Sequence, residues 1–347
     1  MQKHNIYAIK SLGNLADFEL AHADPSVETE LENQMVEFYK HGSSGYFTFE
    51  GAHPELKTVL FKLKLQDVDP RGSAHNEMLF YRDIAPEIRD FLEEEPLKLP
   101  ELFNAGYSEE GHSFIITEFA EGEILGSLPY DAEKPLSIEE FQRLIELIKY
   151  FQETLTPEKV EELSPEMVFD PSKANSTYKK YGEILKMYQN KWADVLGPEY
   201  IAKLGKLLLE NEEFLKGTPE VINNQDINPA NIIRSQDGTF TVIDWERLRK
   251  VPNPAAAYNH IIESHWRYPE LQDEMIKRVL ALNKDDPNFR QLLRIDMLFA
   301  KYSFIYHPLS FDPNLSQEKS AEVKAGLASV LRFIKQAVDE EGPWKKA

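Results

Sequence analysis

The segment VINNQDINPANIIRSQDGTFTVIDWER, residues 221–247, constrains this chain more than any other. Residues 232–235 and 239–243 are two short β-type runs joined by Gln236-Asp237-Gly238, and an Asp-Gly pair between such runs is a strong hairpin signal. With Ser235 opposite Thr239, Asn231 and Asp244 come within about one pairing position at the open end, where opposed Cβ atoms lie roughly 5 Å apart. An amide oxygen and a carboxylate at that spacing can share one cation. Asp226 sits just upstream, in a loop that enters at the same end.

This set of oxygens suits one chemistry well. Magnesium takes oxygen ligands, keeps several waters, and is typically held by one or two protein oxygens together with substrate phosphates. Asn231 and Asp244 supply such a pair, and Asp226 is a carboxylate able to accept a proton from an attacking hydroxyl. Phosphoryl transfer then needs a basic side chain on the phosphates. Residues 58–66, TVLFKLKLQ, form a strand that puts Leu60, Lys62 and Lys64 on one face and Val59, Phe61, Leu63 and Leu65 on the other. Either lysine can reach an anion, and Glu77, near the start of the following helix, can steady it. Taken singly, these residues are ordinary turn formers or first-turn charges. The argument rests on the set.

The rest of the composition narrows the possibilities. At 347 residues the chain is long enough for about two domains, and no apolar run approaches the ~20 residues of a membrane span. No continuous apolar run marks the N-terminal stretch, so no secretory leader is expected. Cysteine is absent, which excludes disulfides, thiolate zinc sites and cysteine nucleophiles and fits the reducing cytoplasm. A formal charge of −20 argues against nucleic acid or an anionic membrane as partner and is compatible with a cationic ligand.

Along the chain, a helix over 27–40 and a strand at 46–49 precede the lysine strand. A helix over 75–95 follows, kinked or restarted at Pro86. Residues 102–107 and 113–119 form a second hairpin. Near residue 120 strands give way to helices, which sets the expected boundary between domains 1–120 and 121–347. Ser137 and Glu140 fit a capping box. Further helices are expected at 178–196, 200–215, 254–268, 269–282, 288–306 and 316–340, so that the hairpin stands isolated in a helical region. His260 and His265 are read as surface or packing residues.

Residues 224–231, NQDINPAN, followed by Val242-Ile243-Asp244-Trp245-Glu246, resemble the signature of the aminoglycoside phosphotransferase/choline kinase-like group. The lysine strand with residues 76–82, NEMLFYR, and Ile84-Ala85-Pro86 is similar to the N-lobe pattern of its ecdysteroid kinase-like and choline kinase-like branches. The match covers about residues 58–120 and 220–262. It implies an α+β, bilobal protein-kinase-like fold, with a small antiparallel-sheet N-lobe and a larger, mainly helical C-lobe. It implies Asp226 as catalytic base, Asn231 and Asp244 as Mg²⁺ ligands, and Lys62 on the ATP phosphates paired with Glu77, with Lys64 in reserve. Phe119 and Ala120, just after Glu118, would be the hinge whose backbone meets adenine. Asn224-Gln225 and Asn228 stand where the family usually has His-Gly and His.

Two readings follow: an ATP-dependent kinase acting on a hydroxyl of a small molecule such as an aminoglycoside, a choline-like compound or a sugar, or a nucleotide-binding pseudokinase without transfer. A third, nucleotidyl transfer on the same fold, would leave a different mass on the substrate. Glu263, Trp266, Tyr268, Glu270 and Asp273 are candidate pocket residues for the acceptor.

Overall fold

The computed structural model describes residues 19–20, 47–53, 57–64, 73–93, 97–107, 113–126, 132–167, 169, 177–224, 226–304 and 317–345. The expected helix over 27–40 lies outside them. Two compact units are formed, Met1–Glu123 with Glu158–Phe169 and Ile233–Leu248, and Ile124–Pro157 with Asp170–Ile232 and Arg249–Ala347.

The first unit is built on a five-stranded antiparallel sheet. Its strands are β1 (Glu19–Leu20), β2 (Phe47–His53), β3 (Lys57–Lys64), β5 (Leu102–Tyr107) and β6 (Ser113–Glu118), in the order β1-β2-β3-β6-β5. The lysine strand β3 is central, with Lys62 opposite Thr48 on one side and Ile115 on the other. Val59 and Phe61 are fully buried, as the alternation of the strand requires. Phe61 also stacks on Phe114 of β6.

The expected helix over 75–95 is three pieces: α1 (Ser73–Leu79), a π-turn (Phe80–Ile84) and α2 (Ala85–Glu93). The break falls just before Pro86. A proline has no N–H to donate to the carbonyl four residues back, and its ring would crowd that carbonyl. Widening the preceding turn relieves the clash, and the Ala85 N–H donates to the Phe80 carbonyl, five residues back.

The hairpin forms where expected. Strands β9 (Ile232–Arg234) and β10 (Phe240–Val242) are neighbours, Ser235 N donates to Thr239 O at 2.8 Å, and Gly238 N donates to Ser235 O at 3.1 Å. Gly238 takes φ +85°, and the Asp237 carboxylate accepts from Thr239 N at 2.9 Å. It is not isolated, however. β4 (Leu97–Lys98) pairs with β10 in parallel, and β7 (Glu123–Ile124) completes a sheet of order β4-β10-β9-β7. Close by, Gly122 has φ +148°, and a Cβ there would lie 2.3 Å from the Arg234 carbonyl oxygen, so only glycine fits.

The second unit is mainly helical: α3 (Ile138–Thr154), α5 (Thr177–Leu196), α6 (Pro198–Glu210), α7 (Glu212–Lys216), α8 (Ala256–Ser264), α9 (Pro269–Leu282), α10 (Phe289–Phe304) and α11 (Gln317–Val338). The short α4 (Pro157–Leu163) leads from α3 into the segment assigned to the first unit. The capping box that starts α3 is present, with Glu140 N donating to Ser137 Oγ and Ser137 N to Glu140 Oε2. Phe141, Leu144, Ile145 and Ile148 bury the inner stripe of α3. His265 is fully buried and its Nε2 accepts from Leu136 N at 3.1 Å, a packing role. A two-stranded ribbon, β8 (Val221–Asn224) with β11 (Leu248–Val251), leads into and out of the opening segment. Among the described residues, no helix is long and apolar enough to cross a membrane.

Candidate active site

In the first unit, Lys62 Nζ lies 2.8 Å from Glu77 Oε1 and 3.4 Å from Asp244 Oδ1. Glu77 Oε1 also accepts from the Trp245 backbone N–H at 3.3 Å. One glutamate oxygen thus joins the lysine strand to the chain just after β10. Of the two candidate lysines, Lys62 meets Glu77; the side chain of Lys64 lies outside the described residues. The Trp245 ring stacks on Phe80 at 4.2 Å between centroids, and its Nε1 donates to Val242 O at 3.1 Å. Both rings are buried. The π-turn is therefore what presents Phe80 to Trp245, while α1 presents Glu77 to Lys62.

The electrostatics of this cluster follow from burial. Desolvation alone would pull the Lys62 ammonium down, but the Asp244 and Glu77 carboxylates overcome it and hold Lys62 protonated well above its ordinary range. Burial pushes the Glu77 carboxyl up, and Lys62 opposes that. Glu77 Oε2 is buried without a hydrogen-bond partner among the described residues. Asp244 has φ +63°, a left-handed conformation that aspartate tolerates better than most side chains.

The helix carrying Glu77 is held from a second direction. Ser164, fully buried, donates from Oγ to Asp83 Oδ2 at 2.6 Å. Arg82 pairs with Asp83 at 2.6 Å and approaches Glu166 at 3.6 Å. Ser164 and Glu166 thus strap the π-turn in place.

Sequence reasoning passed over Glu246. It is buried, its Oε2 has no hydrogen-bond partner among the described residues, and it offers a carboxylate oxygen within 4.8 Å of one from Asp244. Burial, then the Asp244 and Glu77 carboxylates, push its carboxyl up to about 7, against Lys62 and Arg247. Two carboxylates this close repel unless a cation lies between them. An all-oxygen donor set with an unsatisfied carboxylate oxygen fits a hard divalent cation such as magnesium. The only sequence signal for Glu246 is its position two residues after Asp244.

In the second unit, the loop around Asp226 is laced by amides. Asp226 N donates to Asn224 Oδ1 at 3.0 Å. Asn228 Nδ2 donates to the Asp226 carbonyl at 2.8 Å and to its Oδ1 at 3.2 Å. Asn231 Nδ2 does the same from the other side, at 2.9 Å to the carbonyl and 3.2 Å to Oδ2. Asn228 Oδ1 accepts from Ala230 N at 2.9 Å, capping the 3-10 turn Pro229–Asn231. With its Nδ2 committed to Asp226, Asn231 has only Oδ1 to offer a cation. Asn224 and Asn228 thus fasten the loop together with Asn231. Gln225 lies outside the described residues.

The expected hinge follows β6. Glu118 N donates to Glu101 O at 2.8 Å, and Glu101 N approaches Glu118 Oε2 at 3.4 Å. Phe119 and Ala120 leave the strand half-buried, without regular structure. Of the residues considered for the acceptor pocket, Glu263 is buried on α8 and Asp273 on α9 faces Arg332 at 3.8 Å.

No family model and no curated protein matches the chain. Solved structures do. The GDP and kanamycin complex of APH(2")-IIia matches with a TM-score of 0.53 at 13% identity, over 88% of this chain and 98% of that one. The GDP complex of wild-type aminoglycoside 2'-phosphotransferase-IIIa gives 0.53 at 13% identity, over 88% and 99%. An aminoglycoside phosphotransferase from Alicyclobacillus acidocaldarius gives 0.50 at 12%, over 88% and 96%. The chain has the α+β, protein-kinase-like fold of these phosphotransferases, as the sequence led us to expect.

Proposed function

We propose that this protein transfers the γ-phosphoryl group of a nucleoside triphosphate, ATP in the first instance, to a hydroxyl of a small molecule. The observation that carries the reading is the Lys62–Glu77–Asp244 arrangement, a cation fixed between two carboxylates of which one is fully buried. Glu77 holds the Lys62 ammonium from its buried side, and we assign that ammonium to the phosphate oxygens of the nucleotide. Asp226 takes the proton of the acceptor hydroxyl as its oxygen bonds to the γ-phosphorus and the bond to the β-phosphate oxygen breaks. Asn231 and Asp244 are the residues we assign to Mg²⁺, which when bound would neutralise charge on the phosphates. Phe119 and Ala120 are assigned to the adenine ring.

The alternative, a nucleotide-binding pseudokinase, draws its support from the Asn224, Gln225 and Asn228 departures. The hydrogen bonds that Asn224 and Asn228 make to Asp226 favour the active reading, since two amides there do the fastening that histidines usually do. The domains assigned are 1–120 and 121–347, and the setting that a cysteine-free chain suits is the cytoplasm. Incubation with Mg-ATP or Mg-GTP and a panel of hydroxylated metabolites and aminoglycosides, cationic ones included, tests the proposal. A mass gain of one phosphoryl group on any acceptor supports it, and a nucleotidyl gain replaces it. Nucleotide binding without turnover across the panel would move the assignment to the pseudokinase.

A further inference from the structure

The ribbon β8–β11 carries Asp226 just beyond its β8 end, yet two strands alone are marginally stable in water. Something must hold it. The turn after β11, Pro252-Asn253-Pro254, is gripped from many sides. The Pro252 carbonyl accepts from Thr177 Oγ1 and Thr218 Oγ1, both at 2.6 Å. The Asn253 carbonyl accepts from Asn223 Nδ2 at 3.1 Å, and the Pro254 carbonyl from Gln152 Nε2 at 2.8 Å. Three consecutive carbonyls are thus held by side chains from α3, α5, β8 and Thr218, two residues beyond α7.

The Asn253 side chain is gripped as well. Its Nδ2 donates to Tyr181 Oη at 3.0 Å and to the Asp296 carboxylate, which also accepts from Tyr181. Its Oδ1 accepts from Ala255 N at 3.0 Å. Asn223, Tyr181, Asn253 and Asp296 are all buried. Gln152 Nε2 also reaches Asn223 Oδ1 at 2.6 Å, so Asn223 links the clasp to β8, three residues before Asp226.

A buried carboxylate among neutral donors is an expensive way to fill a core; apolar side chains of the same volume are often as stabilising or more so. What hydrogen bonds add is direction. Burial of Ile222 keeps β8 inside but allows it to slide or tilt, whereas bonds to fixed carbonyls set its position. We propose that the Pro252–Pro254 clasp is a positioning device for Asp226, with Asn223 as the positioning residue and Gln152, Asn253, Tyr181 and Asp296 as its support. The inference rests on the reading of Asp226 as the base, and it extends the machinery to residues far outside the motif.

The test combines amide hydrogen exchange with turnover, on the full chain. Asn223→Ala removes both links to the clasp. Gln152→Met keeps the shape of α3 and removes two of the bonds, providing a second variant if the first folds poorly. The expected result is exchange about tenfold faster at residues 226–231, with α8 and α9 still protected as in the parent. Mg-nucleotide turnover falls about tenfold in kcat while the nucleotide KM holds. Asn223→Asp keeps the acceptor for Gln152 and loses the donor to Asn253, and is expected to fall between. Unchanged exchange at 226–231, or a uniform loss of protection across the unit, overturns the inference. If the parent shows no turnover, the phosphotransferase reading fails, and the exchange pattern alone decides whether the clasp fixes the loop.

Discussion

The two units hold their key carboxylates by opposite means. Around Lys62, charge is matched by charge: a partly buried ammonium, a fully buried glutamate and a partly buried aspartate. Around Asp226, the neutral Asn228 and Asn231 amides donate to the carboxylate, and Asn224 accepts from the backbone N–H of the same residue. The difference suits the roles proposed for each group. A lysine that contacts phosphates must stay charged, and adjacent carboxylates ensure that at any ordinary pH. A base must be free to take a proton, and an ion pair would hold it deprotonated at the cost of its basicity. Neutral amide donors orient it with a weaker pull on its proton affinity than a full cation exerts.

The most severe test of this contrast is Asp226→Ala. Turnover is expected to fall by about 10²–10⁴-fold with nucleotide affinity retained, measured by coupled assay and calorimetry; full activity would remove Asp226 from the role of base. Next is Lys62→Met, which leaves Glu77 buried without its cation and should cost about 3–5 kcal/mol in urea unfolding. The double variant Lys62→Met/Glu77→Leu should recover part of that loss, because the pair itself contributes little once its desolvation is counted. If the double variant is worse than either single one, the cluster is not held by charge matching. On the amide-held side, Asn228→Ala removes two donor contacts and a cap, with an expected loss of about 1–2 kcal/mol and no recovery from any change at Lys62.

The smallest effect concerns Asp296, a third arrangement in which a carboxylate is both amide-held and fully buried. Burial raises its carboxyl above the ordinary 3.8, while Lys180, Tyr181 and Asn253 pull the other way. A carboxyl raised in the folded state contributes stability that is complete below the unfolded pKa and is lost as pH rises through the folded one. Asp296→Asn removes that titration. As pH rises above the unfolded value of about 4, the variant should gain progressively on the parent, read from thermal unfolding at several pH values. A difference independent of pH would mean that Asp296 is ionised throughout.

Much of this was legible beforehand because it is local. The Asp-Gly turn, the period-2 burial of β3 and the Ser137/Glu140 cap each depend on residues a few positions apart. What could not be read is what depends on distant partners. The parallel pairing of Leu97-Lys98 with Phe240-Thr241 has no local signature, so the hairpin looked isolated. Pro86 announced a break, but not that it would take the form of a π-turn that carries Phe80 onto Trp245. Glu246 reads in sequence as one more acidic residue, and its burial emerges only in three dimensions. Lys62 and Lys64 could not be separated without the register, because alternation puts both on the same face.

The parallel strand pair also sets an order of events during synthesis. β4 leaves the ribosome early, but its partner β10 follows only after α3 and α5–α7 have been made. Bringing strands so far apart together carries a loop-closure entropy that no early contact offsets. The first unit therefore stays unfinished, with the edge of β4 open, until the helices between have been translated. A fragment ending at Glu123 would lack β9, β10 and the Trp245 platform for Phe80, and so would expose an apolar helix face as it waits.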